Sequence, residues 1–220
     1  MTGNRQEFQR ELEGIETKVI ELFALVAEDV PQATQALLEG NGALARVLAE
    51  REQVIDAIYP QIEELANREI ALQAPVASDL RFLLSVLRIT PEIERSHDLV
   101  MNIAAQADVL VGAGLSARAR GLVERMSSIV SEMWSRVADS WYERDGSVIA
   151  ELADRDEEMD HLHAGLIAEL AAGQMTLPVT MEMTLVARDY ERLAAHAVNI
   201  ARRVVYLAGP GTASDIQPPG

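Results

Sequence analysis

Apolar residues recur every three or four positions through most of the chain, and no stretch alternates in the manner of a half-buried strand. Gly, Pro and Ser punctuate this pattern at EGNG (39–42), QAP (73–75), GAGLS (112–116), RDG (144–146) and AGQMTLP (172–178). Six helices are therefore predicted, near 4–38, 43–72, 76–111, 117–143, 147–171 and 179–208. Several approach about 30 residues, or roughly 45 Å at 1.5 Å per residue. Long helices joined by short turns must run antiparallel to their neighbours, which makes a bundle. Pro31 and Pro91 fall inside the first and third helices, where each is expected to kink its helix or end a segment. The tail GPGTASDIQPPG has few apolar residues and is expected to be disordered.

One segment nearly occurs twice. ERSHDLVMNIA (94–104) in the third helix returns as ERLAAHAVNIA (191–201) in the sixth, sharing Glu-Arg and Asn-Ile-Ala in register. The third and sixth helices are thus equivalent, and the chain reads as an all-α protein of two tandem, pseudo-symmetric three-helix bundles. The expected division is 1–111 for the first unit and 117–208 for the second, with 209–220 as the tail.

A second pattern repeats with the first. Residues four apart share a helix face, and acids have this spacing at Glu52 and Asp56, at Glu94 and Asp98, and at Asp156 and Asp160. The sixth helix offers Glu191 but has Ala195 in place of the second acid. At 100° per residue, Glu94 and Asp98 align with Leu80, Leu84, Leu87 and Met101, and Asp156 and Asp160 align with Ile149, Leu152, Ile167 and Leu170. Acids in line with leucines are expected to be partly buried. Such carboxylates need either Arg or His partners or a metal ion, because desolvating an unpaired ion costs several kcal/mol. Oxygen donors suit Mg²⁺, Ca²⁺, Mn²⁺ or iron, and imidazole would widen the range to zinc. Both remedies stay open at this point. His163 shares the Asp156 stripe and is a candidate outer ligand. His97 and His196 read as packing or surface residues, and His161 as solvated. Arg95 and Arg192, repeated beside the acids, read as internal salt-bridge partners before contact residues.

The formal charge of −16 argues against a nucleic-acid or anionic-membrane binder, since both need Lys and Arg to neutralise phosphates. The absence of cysteine excludes disulfides and thiolate metal sites. With no secretory signal and no apolar run of about 18 residues, a cytoplasmic protein without direct membrane insertion is expected. Glu94-x-x-His97 and Glu158-x-x-His161 match the ligand pair of ferritin-like di-iron proteins. The alternative function is accordingly a metal-binding bundle with iron storage or oxidase activity. However, Glu158 and His161 fall on the polar side of their helix. No phosphate loop, nucleotide fingerprint or nucleophile–base set occurs, so no enzyme is expected.

QAPVASDLR (73–81), ERSHDLVMNIA and its echo ERLAAHAVNIA, with the acid spacings in AEREQVID (49–56) and ADRDEEMD (153–160), resemble the PhoU family of phosphate-transport regulators over residues 5–208. The actinobacterial branch is the nearest likeness. The resemblance implies two three-helix bundles in a cytoplasmic protein, usually a homodimer. It further implies negative regulation of phosphate uptake and of the phosphate-starvation response. The implied partners are the ATPase subunit of the phosphate ABC transporter (PstB-like) and a membrane sensor histidine kinase (PhoR-like). It also implies divalent metal, or an iron or zinc cluster, at the repeated acids. By position these are Glu52, Asp56, Glu94 and Asp98 in the first half and Asp156, Asp160 and Glu191 in the second. Ala195 removes one carboxylate from the second set, so metal is expected to favour the first.

Overall fold

A computed structural model describes residues 2–111, 114–173 and 175–209. Its helices are α1 (Thr2–Glu39), α2 (Gly42–Gln73), α3 (Ala77–Ala105), α4 (Ala117–Glu143), α5 (Val148–Ala172) and α6 (Leu177–Ala208), with a 3₁₀ turn at Gln106–Leu110. Residues 210–220 of the tail lie outside the described residues.

The predicted boundaries hold within a few residues, and their local causes are visible. Gly40 closes α1 with a φ of +63°, a left-handed conformation that glycine adopts without strain. Asn41 then caps α2, its Oδ1 accepting from the Leu44 N–H at 3.1 Å. Ser116 caps α4 in the same way, accepting from the Ala119 N–H at 3.0 Å. The sixth helix starts two residues earlier than expected because Pro178 sits in its first turn, where a missing N–H has no helical partner to lose. The third helix departs from expectation at its end. It tightens to 3₁₀ at Gln106, which stacks Ala107 and Leu110 on one buried face, three residues apart.

Neither proline ends its helix, and a third, Pro60, lies inside α2. A mid-helix proline orphans the carbonyl four residues back. For Pro31 that carbonyl belongs to Ala27, and Ser131 of α4 donates to it at 3.0 Å. A neighbouring helix thus restores the bond that the ring removed.

Each half packs its three helices together, and the halves join through α1 against α4 and α3 against α6. Helices α2 and α5 touch only their own half and lie on the flanks. One apolar core runs through both halves. In α1 it is built from Ile15, Val19, Leu22, Val26, Val30, Ala33 and Leu37, a continuous 3.6-residue stripe. Each large side chain fully buried this way contributes about 1.5–3 kcal/mol. Polar contacts fix how the halves meet. The buried Thr34 hydroxyl of α1 donates to the Val30 carbonyl and lies 2.7 Å from both Ser127 Oγ of α4 and Tyr190 Oη of α6.

Candidate functional site

The repeated acids come to line two grooves, one between α2 and α3 and one between α5 and α6. On α3 the core stripe is Val86, Ile89, Ile93, His97, Val100 and Ala104. Glu94 and Asp98 each follow a core residue by one position, a rotation of about 100°. They therefore flank the core and do not enter it. Glu94 is half-buried and Asp98 exposed, as are Glu52 and Asp56 respectively on α2. The stripe of Leu80, Leu84 and Leu87 is itself peripheral, with Leu84 37% exposed. The expected partial burial holds for Glu52, Glu94 and Asp156 and fails for Asp56, Asp98 and Asp160, which are exposed: the acids mark the edge of the apolar face.

The four acids nevertheless share one electrostatic environment. Burial raises the Glu94 carboxyl above its ordinary range, and Asp98, Asp56 and Glu52 push it further, against the pull of Arg95. Tyr59, one turn beyond Asp56, is raised by burial and by Glu63 and Glu94. No Lys or Arg within the described residues forms an ion pair with Glu52, Asp56, Glu94 or Asp98. Arginine compensation in the first groove is thus limited to the more distant pull of Arg95 on Glu94. The donor set, carboxylate oxygens alone, fits a hard divalent cation, which would relieve the repulsion. As placed, no three His, Asp or Glu side chains among the described residues close on one point.

The second groove carries less uncompensated charge. Burial raises the Asp156 carboxyl, with Asp160 and Glu191 adding to the shift and Arg202 opposing it. His163 Nε2 lies 3.8 Å from Glu191 Oε2. Ala195 leaves the fourth position empty of charge, so a guanidinium and an imidazole face three acids there.

The di-iron pairing does not assemble. Glu158 is held by Arg125 at 2.7 Å and Arg155 at 2.9 Å, and exposed His161 bonds the Glu157 carbonyl of its own helix. His97 turns into the core, away from Glu94 and the groove. Its Nε2 meets Oδ2 of fully buried Asp29 at 3.1 Å. Arg51 Nη1 sits 2.5 Å from the other Asp29 oxygen. The trio joins α1, α2 and α3 and holds His97, the residue before Asp98, in the core. Sequence reasoning overlooked Asp29, although it lies in register with Leu22, Val26 and Ala33, and an acid on a core stripe is a detectable signal.

Between the halves, α3 and α6 meet along a polar seam. The Ser96 hydroxyl donates to the Glu92 carbonyl at 2.6 Å, leaving its oxygen to accept from His196 Nδ1 at 2.7 Å. Burial pushes the His196 imidazole down, helped by Arg192 and Arg95 and opposed by Glu92. Arg95 pairs with Glu92 at 2.6 Å, the internal role expected of it, whereas exposed Arg192 forms no ion pair among the described residues.

Comparisons with known proteins agree with this architecture. The sequence profile of the PhoU domain matches residues 19–107 and 123–204. A phosphate-specific transport system accessory protein PhoU homolog of Zymomonas mobilis is 30% identical, over 93% of this chain and 87% of its own length. PhoU homolog 2 of Mycobacterium tuberculosis is 29% identical, over 93% and 97% respectively. The crystal structure of PhoU from Pseudomonas aeruginosa superposes with a TM-score of 0.83 at 28% identity, covering 91% of this chain and 98% of that one. Identities this even across proteobacterial and mycobacterial relatives do not single out a branch.

Proposed function

The chain belongs to the PhoU family, and from that premise we propose that it is an accessory regulator of a phosphate-specific transport system. It restrains phosphate uptake and the phosphate-starvation response when phosphate is plentiful. It does so as an adaptor between the transporter's ATPase subunit and a sensor histidine kinase. The observation that carries this reading is the similarity to a phosphate-specific accessory protein along 93% of the chain, with the two PhoU-domain matches each containing one copy of the duplicated Glu-Arg and Asn-Ile-Ala motif. Among the described residues no helix is long and apolar enough to cross a membrane, so contact with a membrane-bound kinase would run through a partner surface.

The grooves enter this function as cation sites. A divalent ion at Glu52, Asp56, Glu94 and Asp98 would neutralise the repulsion between α2 and α3 and stiffen the face they form. The role is structural and regulatory, with no bond made or broken. A ligand-dependent adaptor needs only that phosphate supply favour one docked arrangement over another.

The test is affinity capture of the tagged chain from its own host, grown in high and then low phosphate and read by mass spectrometry. The transporter ATPase and a sensor kinase are expected, in amounts that change with phosphate. If neither is recovered in either condition, the adaptor reading fails and the family likeness conveys fold alone.

A further inference from the structure

A cleft of about 550 Å³ opens on the α3–α6 seam, lined by Arg88, Glu92, Asn199, Arg202 and Arg203 over a floor of Ile89 and Ile200. Three guanidinium groups and one carboxylate line it, in a protein of net charge −16, and of the three only Arg202 also acts on an acid of the second groove, Asp156. The carboxylate does not neutralise them, because Glu92 Oε2 is bound by Arg95 at 2.6 Å and Oε1 has His196 Nε2 at 3.8 Å. Arg202 is steadied by donating to Asn199 Oδ1 at 2.8 Å. Arg88 and Arg203 make no ion pair or hydrogen bond among the described residues, although unpaired acids abound elsewhere on the surface.

The duplication supplies an internal comparison. Setting Glu94 over Glu191 places Ile89 over Val186, Glu92 over Asp189, Asn199 over Asn102 and Ile200 over Ile103. The floor, the acid and the amide are thus repeated. The arginines are not: Arg88, Arg202 and Arg203 correspond to Leu185, Ala105 and Gln106. The same frame has acquired three cations on one side only, where α3 and α6 hold them across a seam fixed by the Ser96–His196 bond.

We propose that this cleft binds a small phosphate anion, orthophosphate or a short polyphosphate. Guanidinium forks match phosphoryl oxygens with paired N–H donors. Glu92 adds discrimination. Protonated phosphate can donate its P–OH hydrogen to Glu92 Oε1, which has His196 Nε2 at 3.8 Å and keeps a lone pair toward the cleft, whereas sulfate at neutral pH has no hydrogen to donate and would meet only repulsion. The inference stands on the cleft's own chemistry and is independent of the adaptor reading, since it concerns the purified chain alone.

The experiment is isothermal titration of the full chain with orthophosphate, pyrophosphate, sulfate and ATP at low ionic strength, where exposed charges are least screened. Saturable binding of orthophosphate or pyrophosphate, tighter than sulfate, is expected. The Arg88→Gln/Arg203→Gln double variant should weaken it by about ten- to a hundredfold, the loss expected for charge-assisted hydrogen bonds. Its circular dichroism and Tm should match wild type, because neither side chain is buried. Glu92→Gln should narrow the preference over sulfate, and Arg118→Gln on α4 should change nothing. The proposal is overturned by no saturable binding of either phosphate, by equal affinity for sulfate, by binding of ATP alone, or by a double variant that binds as wild type does.

Discussion

Asp189 offers a quantitative test of how the α3–α6 seam is balanced. It lies half-buried on α6, at the position corresponding to Glu92, with Arg188 and Arg192 nearby. Burial pushes its carboxyl from an ordinary 3.8 up to about 6, although both arginines pull the other way. A rise of this size corresponds to roughly 3 kcal/mol, at about 1.36 kcal/mol for each tenfold change in proton affinity. Solvent reaches much of the group, so screening reduces this to about 1–1.5 kcal/mol. The sign follows from linkage: the folded state holds the proton more tightly than the unfolded one. The protonated form's stability is therefore fully present below about pH 4 and is lost as pH rises through about 6. An asparagine at this position would imitate the protonated carboxyl at every pH. Asp189→Asn should leave stability unchanged at about pH 3.5 and raise it by about 1–1.5 kcal/mol at about pH 7.5, read from urea unfolding at both values. A variant that is no more stable than wild type at the higher pH, or whose gain is as large at the lower one, would refute the assignment of burial as the dominant cause.

Three other outcomes are expected. Asp29→Ala should destabilise the fold by about 3–5 kcal/mol, because it leaves buried His97 without its partner and Arg51 with exposed Glu28 alone; urea unfolding measures this, and a loss below about 1 kcal/mol would remove the trio from the fold's essential contacts. Thr34→Val keeps volume but leaves the Ser127 and Tyr190 hydroxyls without their shared partner, so a loss of about 1–3 kcal/mol is expected, with Tyr190 fluorescence reporting the seam. Crystals grown with Mn²⁺ should give a stronger anomalous peak beside Glu52, Asp56, Glu94 and Asp98 than beside Asp156, Asp160 and Glu191. A filled second groove with an empty first would defeat the charge argument.

Periodicity, punctuation and internal repetition are local properties, and they placed six helices, their order and the equivalence of α3 with α6. They also placed the acid pairs on helix faces, since spacing alone decides which residues share one. What they left undetermined was rotation. A helical wheel around α3 accommodates Leu80, Leu84 and Leu87 as a core as readily as Phe82, Val86, Ile89 and Ile93. Only packing against α1, α2 and α6 selects the second set and moves Glu94 and Asp98 to the rim. The same holds for charges that meet across helices. Asp29, Arg51 and His97 are far apart in the chain, as are Arg88 and Arg203, and no spacing rule links them. Their convergence depends on side chains from separate helices sharing one low-dielectric interior or one seam, a condition set when the helices pack and not before.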